Sequence, residues 1–374
     1  MNQTSQFSIK YRPLSLDDVY GQDNIVRSLK SRIKERKFPT ATLMQGPVGT
    51  GKTTCAKILA MAMQCQHPHE DGSPCLECAS CKSILEETYG RDTVMLDASQ
   101  FGQKDSAIEL SRLINTRPLY DKNKVFIIEE IDQASQAFKL ALLKIIEKNY
   151  DNRSPVYFIL LSMESNGVPI SIKSRCQTFN FKLIGIKDSM YAMKSVLEKD
   201  GRWGSLTPQF KTEGLATIAS ASKGSLRIAL QNLEACLNGE IYTKDEILSF
   251  LNVVDETSTY KVLEGLLSLS KDETLWNSIY KSDPQELYNY LTLICSNVEI
   301  YKSTGYIDDD RFEDSTKRLS SSPHIDSLFY ILTKHPQLCK PYMRKCDLLA
   351  ALAEYYSTNK PSSIPTRSIR VRGV

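Results

Sequence analysis

The sequence lacks the features that mark membrane-spanning and secreted proteins. No apolar run approaches the roughly 18 residues of a transmembrane helix, and the first residues lack the apolar core of a signal peptide. Ten cysteines in 374 residues are too dilute for a disulfide scaffold. We therefore expect a soluble chain in a reducing compartment, the cytoplasm, that makes no contact with a membrane.

An excess of charge of either sign is also missing. The chain has 47 Lys and Arg against 44 Asp and Glu, a net charge of +3, so any basic surface for nucleic acid must come from local clustering. A hydrophobic fraction of 41% with 17 Gly and 15 Pro excludes collagen-like, mucin-like and disordered proteins. At about 150 residues per domain, the length predicts two or three globular domains.

Four of the ten cysteines lie close together in the sequence. Cys65, Cys75, Cys78 and Cys81 supply four thiolates in a loop-rich segment, a spacing typical of a tetrahedral zinc site. Because four sulfurs leave no ligand position open for water, the predicted Zn²⁺ is structural and stabilises a segment with no core of its own. The other six are expected to be mostly buried as small apolar side chains: Cys55, Cys176, Cys236, Cys295, Cys339 and Cys346.

A phosphate-binding loop precedes the cysteines. A β-leaning run at 41–45 leads into Gly-x-x-x-x-Gly-Lys-Thr and then into a helical run at 55–62. In such a loop, the glycines let backbone N–H groups surround the phosphates of a nucleotide, while Lys52 reaches the β and γ phosphates and the Thr53 hydroxyl binds Mg²⁺. The expected nucleotide-binding residues of this segment are Gly46, Pro47, Val48, Gly49, Thr50, Gly51, Lys52, Thr53 and Thr54.

Two acidic residues end a second strand-like run. Residues 125–128 are Val-Phe-Ile-Ile, as expected for a central parallel strand covered on both faces. Glu129 and Glu130 follow at its carboxyl end, the edge where open α/β sheets bind ligands. We expect Glu129 to hold Mg²⁺, mainly through water, and Glu130 to orient and deprotonate an attacking water. Two solvated acids that merely end a strand are the alternative.

Several motifs follow one another in a fixed order from residue 10 to about residue 230. They are Lys10-Tyr11-Arg12-Pro13, Asp17-Asp18-Val19-Tyr20-Gly21-Gln22, the phosphate-binding loop, the clustered cysteines, Ser174-Arg175-Cys176 and Gly224-Ser225-Leu226-Arg227. This ordered set resembles the motifs of the AAA+ clamp-loader ATPases, and specifically of the bacterial γ/τ subunit and its δ′ relative. The remaining C-terminal part is assigned by position alone.

The resemblance implies roles for further residues. Ser162, at the end of an apolar run at 156–161, would sense the γ-phosphate, and Arg227 would reach the phosphates from a second domain. Arg175 would be an arginine finger for the ATP of a neighbouring subunit, where a guanidinium neutralises charge on the transferred phosphoryl group. Taken singly, each arginine would more commonly form a surface ion pair. The residues implied to border the adenine and ribose of ATP are Arg12, Val19 and Tyr20.

Two positions depart from the family pattern. Where the family usually has Asp-Glu, this chain has Glu129 and Glu130, and Ser162 stands where Thr or Asn is common. Because Glu is one methylene longer than Asp, the position of Mg²⁺ or its water shell can differ while the charge is kept. The resemblance therefore implies ATP binding more firmly than hydrolysis.

The order of predicted elements indicates an α/β fold followed by helical domains. Strands alternate with helices up to about residue 180, which predicts an AAA+ P-loop parallel sheet with right-handed crossovers in 1–180 and an inserted zinc module at 65–81. A small helical lid is expected at 181–243, an all-α collar for oligomerisation at 244–358 and a flexible basic tail at 359–374. Helices are predicted at 104–114, 134–147, 189–200, 225–238, 244–251, 257–268, 284–301, 325–333 and 343–356.

The function implied by the resemblance is that of an ATP-driven clamp-loader subunit, in the cytoplasm of a bacterium or of a virus-infected host. With other loader subunits, in a homo- or hetero-pentamer, the chain would open a sliding clamp and load it onto primer-template DNA, with a DNA polymerase as a further partner. Because the chain stops short of the long extension of the τ form, it resembles the γ form. The alternatives are a non-hydrolysing ATP-binding scaffold subunit and another AAA+ DNA machine, for branch migration or helicase loading.

Contact with DNA is predicted from local positive charge. Five basic residues crowd a short helix before the phosphate-binding loop, and a spiral of several subunits can align such residues along a DNA backbone. An ordinary solvated helix face is the alternative. These residues are Lys30, Arg32, Lys34, Arg36 and Lys37, with Lys104 and Arg112 elsewhere in the first domain.

Overall fold

The computed structural model describes residues 7–88, 92–100, 112, 118–148, 156–164, 166–251, 256–281, 283–305, 313–334, 338 and 344–359. The chain divides into two compact units, residues 1–247 and 248–374. The helix predicted at 104–114 and the tail predicted at 359–374 lie outside the described residues, apart from Arg112 and Asn359. No helix in the described part is both long enough and apolar enough to cross a membrane.

A five-stranded parallel sheet forms the centre of the first unit. Its strands are β1 (Ala41–Gln45), β2 (Thr93–Asp97), β3 (Lys124–Glu129), β4 (Val156–Ser162) and β5 (Gln177–Asn180). They are arranged in the order β2-β3-β4-β1-β5. The strand that leads into the phosphate-binding loop is thus next to β4, and β4 separates it from the strand that ends in the acidic pair. This arrangement confirms the predicted P-loop fold of the AAA+ class.

Apolar side chains on both faces explain why β3 lies inside the sheet. Val125 and Ile127 pack into a core on one face, whereas Phe126 and Ile128 pack into a second core on the opposite face. The ring of Phe126 stacks on that of Phe158 in β4, with centroids 5.7 Å apart. An unbroken apolar run indicates this two-sided burial in a parallel strand.

Helices cover the sheet and continue beyond its last strand. They are α1 (Phe7–Lys10), α2 (Asp23–Glu35), α3 (Lys52–Gln64), α4 (Ala79–Leu85), α5 (Gln136–Lys148), α6 (Ile170–Lys173), α7 (Ile186–Lys199), α8 (Leu215–Ala221), α9 (Leu226–Asn238) and α10 (Lys244–Phe250). The helix after the phosphate-binding loop, α3, is buried along nearly its whole length. In the region predicted to be the lid, α7, α8 and α9 pack on one another.

The second unit is helical where it is described, as predicted for the C-terminal region. Its helices are α11 (Glu256–Leu267), α12 (Glu273–Lys281), α13 (Pro284–Thr304), α14 (Glu313–Ser320), α15 (Ile325–Lys334) and α16 (Lys345–Thr358). Leu263, Leu291, Leu328 and Leu352, from four of these helices, belong to one hydrophobic core. Two of the helices, α12 and α14, were not predicted from the sequence.

The register of the sheet brings the ends of several strands to one edge. Gln45, the last residue of β1, lies opposite Ser162, the last residue of β4. The amide of Gly46 then donates to the carbonyl of Ser162 at 3.2 Å. At the other side, Asp97 of β2 lies opposite Glu129 of β3. The phosphate-binding loop, the acidic pair and the predicted sensor therefore meet at the carboxyl edge, where parallel sheets bind ligands.

Candidate nucleotide-binding site and zinc centre

The phosphate-binding loop joins β1 to α3 through backbone conformations that favour glycine. Gly49 and Gly51 have φ angles of +76° and +98°, in the region that other residues rarely adopt. Gly51 is the N-cap of α3, and its carbonyl accepts a hydrogen bond from the amide of Cys55 at 2.9 Å. The loop thus opens onto a helix N-terminus, an arrangement that binds anions.

Carbonyl groups of the loop hold the Lys52 ammonium. Its Nζ donates to the carbonyl oxygens of Gly46 at 2.6 Å and Pro47 at 2.7 Å. Burial, with the Arg227 guanidinium nearby, lowers the pKa of Lys52 to about 8. Because an anion would offset both causes, the lowered pKa is a further mark of a phosphate site.

Thr53 at the start of α3 is linked to the end of β3. Its Oγ1 donates to Oε1 of Glu129 at 3.0 Å. Hydroxyl and carboxylate oxygens are ligands that suit Mg²⁺, so the two residues fit the ion predicted for them. The longer side chain of Glu129, where the family has Asp, still reaches Thr53 directly.

Glu130 has an unusual backbone conformation. Its φ is +52°, which costs a residue with a side chain about 1 kcal/mol or more. The Glu130 carbonyl accepts a hydrogen bond from the amide of Gln133 at 2.9 Å, which helps to hold the turn. Strain of this kind is concentrated at functional sites.

The end of β4 is tied to the turn after β3. Ser162 is 1% exposed, and its Oγ donates to the carbonyl of Glu164 at 2.6 Å. Asp132, which the sequence pattern did not indicate, accepts a hydrogen bond from the amide of Met163 at 3.2 Å. Asp132 and Met163 are distant in sequence. Only the acidic character of Asp132, so close after Glu130, could therefore have indicated a role for it.

One cavity of about 380 Å³ collects most of the predicted residues. Arg12, Val19 and Tyr20 line it, and Arg227 of α9 gives it a wall from the predicted lid. From the phosphate-binding loop and the ends of β3 and β4 come Val48, Gly49, Thr50, Gly51, Lys52, Thr53, Thr54, Glu129, Glu130 and Ser162. Lining residues that were not predicted are Ser8, Tyr11, Pro13, Asp18, Leu161, Met163, Ile184, Leu226 and Leu230.

The start of α9 contacts the phosphate-binding loop. The amide of Leu226 donates to the carbonyl of Gly49 at 3.0 Å. Ser225 Oγ is buried without a hydrogen-bond partner in the described part of the chain, and it lies where a Cβ on Gly49 would be. The next residue of the motif, Arg227, lines the cavity. The predicted lid and the loop therefore form one site.

Arg175 is not among the residues that line the cavity. Its guanidinium pairs with Oε1 of Glu147 at 2.7 Å and donates to the carbonyl of Ser171 at 3.0 Å. The structure therefore does not bring Arg175 to the nucleotide site of its own chain. A finger that acts on a neighbouring subunit requires such a position.

The four clustered cysteines meet in space. The Sγ atoms of Cys65, Cys75, Cys78 and Cys81 all lie within 4.8 Å of one another, which fits a tetrahedral zinc ion held by four thiolates. The amide of Cys78 donates to the sulfur of Cys75 at 3.4 Å, and this hydrogen bond lowers the pKa of the Cys75 thiol to about 6. The cysteines pack into the same core as α2 and α3, so the predicted zinc module adjoins the helix that follows the phosphate-binding loop.

The other cysteines are mostly buried, as predicted. Cys55, Cys236 and Cys295 are buried and Cys176 is partly buried. Cys346 is exposed, contrary to the expectation, because it lies in the first turn of α16 on the side that faces solvent. Cys339, which was also expected to be buried, lies outside the described residues.

The basic run before the phosphate-binding loop occupies the end of α2 and the turn that follows. Lys30 pairs with Asp17, and the Arg36 guanidinium donates to the carbonyl of Ala62 at 2.8 Å. Part of this positive charge is therefore used within the first unit, and contact with DNA stays a prediction. Lys104 lies outside the described residues.

Comparison with known proteins agrees with this geometry. Residues 21–184 match the model of the family described as DNA polymerase III, delta subunit. The chain is 28% identical over 332 residues to DNA polymerase III subunit tau of Bacillus subtilis, which covers 86% of this chain and 57% of the relative. It is 31% identical over 267 residues to DNA polymerase III subunit gamma/tau of Mycoplasma genitalium, over 70% of this chain and 42% of the relative.

This chain is a relative of the DNA polymerase III tau/gamma subunits. It spans about half the length of these two relatives. Among solved structures, the RuvB Holliday junction branch migration motor of Thermotoga maritima is similar with a TM-score of 0.47 and 18% identity, over 68% of this chain and 79% of that one. As a tau/gamma relative with an AAA+ sheet and an intact phosphate-binding loop, the chain belongs with the P-loop nucleotide-binding proteins.

Proposed function

We propose that this chain is an ATP-driven clamp-loader subunit of a DNA replication complex. It binds and hydrolyses ATP to open a sliding clamp and load it onto primer-template DNA. The observation that carries the proposal is that one predicted catalytic group lies apart from the cavity that the others line. Lys52, Glu130 and Arg227 line one cavity, whereas Arg175 does not. Such a site binds ATP by itself but is completed by a second subunit, which couples hydrolysis to assembly.

Each residue of the cavity has a task in this reaction. The phosphates of ATP replace the loop carbonyls as partners of Lys52, and Glu130 accepts a proton from the attacking water. Arg227 neutralises phosphate charge from the lid side. Ser162 reaches the γ-phosphate by rotating its hydroxyl away from Glu164. Thr53 and Glu129 would hold Mg²⁺, which supplies positive charge to the phosphates when bound.

The partners follow from the proposed role and from the names of the relatives. Other loader subunits would assemble through a collar at 244–358 into a homo- or hetero-pentamer, with 181–243 as the lid and 359–374 as a tail. The sliding clamp and primer-template DNA are the substrates of loading, and a DNA polymerase is a further partner. Zn²⁺ would be a structural ion held by the four cysteines, and the protein would act in the cytoplasm.

A second candidate function is a loader subunit that binds ATP without hydrolysing it. The observation that favours it is Glu129, which stands where the family usually has Asp. Against it are Glu130, which lines the cavity, and the direct contact of Glu129 with Thr53. Another AAA+ DNA machine, for branch migration or helicase loading, is a third candidate, and the cluster of four cysteines argues against it.

The experiment that separates these functions is an ATPase assay with and without primed DNA and a bacterial sliding clamp. Turnover raised only by both together would support clamp loading. ATP binding without turnover would favour the scaffold, and stimulation by DNA with no effect of the clamp would favour another DNA machine. We expect Glu130→Gln to reduce turnover by about 10²- to 10⁴-fold while ATP affinity is kept.

The control for this substitution is Glu198→Gln, the same change of charge on an exposed face of α7. It should leave turnover unchanged. Normal turnover in Glu130→Gln would contradict the assignment of Glu130 as the base.

A further inference from the structure

The zinc module, predicted at 65–81, continues into helix α4 (Ala79–Leu85), which ends beside the candidate nucleotide site. The helix is followed by Glu87, which has a φ of +55°. The amide of Glu87 donates to the carbonyl of Ile84 at 3.4 Å, and the amide of Thr88 donates to that of Ser83 at 3.1 Å. These bonds close the end of the helix as in common helix C-caps. The backbone position of Glu87 is therefore set by a helix that begins between two of the clustered cysteines, Cys78 and Cys81.

Glu87 pairs with a buried cation of the helix that follows the phosphate-binding loop. Its Oε1 accepts a hydrogen bond from Nζ of Lys57, a side chain that is only 8% exposed. The Lys57 ammonium holds the pKa of Glu87 below its usual range, while burial lowers the pKa of Lys57. A buried ammonium without a partner strongly destabilises the folded state. The ion pair with Lys57 therefore holds the end of α4 to α3.

The same carboxylate oxygen also contacts the nucleotide cavity. Nη1 of Arg12 lies 3.4 Å from Oε1 of Glu87, and Arg12 is one of the cavity-lining residues. One oxygen atom thus joins three parts of the chain: the end of the zinc module, the helix after the phosphate-binding loop and the N-terminal segment that lines the cavity.

We propose that Glu87 is a positioning residue through which the zinc module holds Arg12 in the nucleotide site. The zinc module then has a task beyond its own folding, because the helix end that it stabilises sets the orientation of a nucleotide-binding side chain. This inference rests on the proposed function, in which Arg12 borders the adenine and ribose of ATP.

The sign of the effect distinguishes positioning from simple electrostatics. If Glu87 acted only through its charge, its removal would favour an anionic nucleotide and tighten binding. Since the Glu87 side chain is 57% exposed, water and salt screen this long-range term. A positioning role predicts the opposite result, weaker binding, because the neutral amide oxygen that replaces the carboxylate holds Arg12 less firmly.

The test is the affinity of Glu87→Gln for ATP and ADP, measured by equilibrium titration on the full chain with zinc content determined in parallel. We expect both dissociation constants to rise about five- to tenfold, the usual size for a single intramolecular hydrogen bond. Their ratio should not change, because Arg12 contacts the part that both nucleotides share. Glu86→Gln, the same change at the neighbouring exposed position, should bind like the wild type.

Two further variants keep the result interpretable. Lys57→Met combined with Glu87→Gln removes the buried cation together with its charged partner. If Glu87→Gln alone folds poorly, this double variant takes its place, and its dissociation constants should show the same rise. Arg12→Ala combined with Glu87→Gln should bind no more weakly than Arg12→Ala, since Glu87 acts through Arg12.

Unchanged or tighter binding in Glu87→Gln, or additive effects of the Arg12 and Glu87 substitutions, would overturn the inference alone. A wild-type chain that binds no nucleotide would contradict the proposed function as well. A wild-type chain that binds ATP while its Glu87 variants bind equally well would leave the proposed function standing.

Discussion

The backbone amide of Leu226 donates a hydrogen bond to the carbonyl oxygen of Gly49 across 3.0 Å. This bond joins the first residue of α9 to the phosphate-binding loop, with Ser225 packed directly against Gly49. The approach is close because Gly49 has no Cβ, and its φ of +76° is one that glycine adopts freely. The absence of a side chain at Gly49 therefore permits the contact between the start of α9, in the predicted lid, and the loop.

Substitution Gly49→Ala should disrupt this contact. The new Cβ would overlap Ser225 Oγ, whereas a Cβ at Gly51 would meet only Cγ1 of Val19 at 4.0 Å. Both substitutions carry the cost of a left-handed conformation, about 1 to 2 kcal/mol, so Gly51→Ala is a matched control. We expect Gly49→Ala to lower the free energy of unfolding by roughly 1 kcal/mol or more beyond Gly51→Ala, the typical cost of an overpacked site.

Thermal or denaturant unfolding measures this difference. Adding Ser225→Gly to Gly49→Ala should recover part of the loss, since it removes the atom that is overlapped. Equal losses in the two alanine variants, or no recovery in the double variant, would contradict the close contact.

Nucleotide affinity should fall at alkaline pH because of Lys52. Burial lowers the pKa of Lys52 to about 8 in the free protein, and bound phosphates favour its protonated form, so the pKa rises on binding. Below pH 8 the free protein already carries the proton. Above it, binding must take up a proton, and the dissociation constant should rise by up to about tenfold per pH unit.

Titrations with ATP from pH 7 to pH 9.5 would follow this rise. Lys52→Arg is the control, because a guanidinium does not titrate in this range and its profile should be flat whatever its affinity. A wild-type profile as flat as that of Lys52→Arg would show that Lys52 does not titrate near pH 8.

Loss of Arg175 should affect hydrolysis and spare binding. Arg175 is not part of the cavity lining, so the dissociation constant for ATP should not change in Arg175→Ala. Turnover of the assembled complex should fall by about 10³-fold or more, the usual contribution of an arginine finger. Glu147→Gln, which removes the partner of Arg175 at 2.7 Å, should retain turnover. Weaker ATP binding by the Arg175→Ala chain alone would place the arginine in its own site.

Zinc should be bound by the four clustered cysteines and needed for stability. We expect one zinc ion per chain, lost in Cys78→Ser, and a large fall in the unfolding temperature, since a structural zinc site contributes on the order of 10 kcal/mol. Cys236→Ser, a change at a buried cysteine outside the cluster, should keep the metal. Metal analysis of protein with reduced cysteines checks this, and a zinc-free wild type with unchanged stability would contradict it.

The parts of the site that could be predicted are those encoded by short stretches of sequence. The phosphate-binding loop, the acidic pair after β3 and the spacing of the cysteines each occupy a few consecutive residues, and local backbone geometry places them. Asp132 was missed because it accepts a hydrogen bond from Met163, far away in sequence, and Tyr11 because only the fold brings it to the cavity beside the phosphate-binding loop.

The fold shows the same division between local and distant causes. The apolar run of β3 predicted a buried strand. In contrast, β5 has one buried residue in four, Phe179, and is a strand because it pairs with β1. Likewise α14 has a strongly polar sequence and few residues that would mark a buried face. Its packing on α13, rather than its own pattern, keeps it in place.

The ion pair between Arg175 and Glu147 sets the energy needed to free the proposed arginine finger for a neighbouring subunit. Both side chains are more than a third exposed, at 36% and 43%, and such pairs contribute at most about 1 kcal/mol. An incoming triphosphate, with several negative charges, competes easily with one solvated carboxylate. In the proposed loader, the guanidinium would therefore leave Glu147 for the ATP of an adjoining subunit at a cost of no more than about 1 kcal/mol.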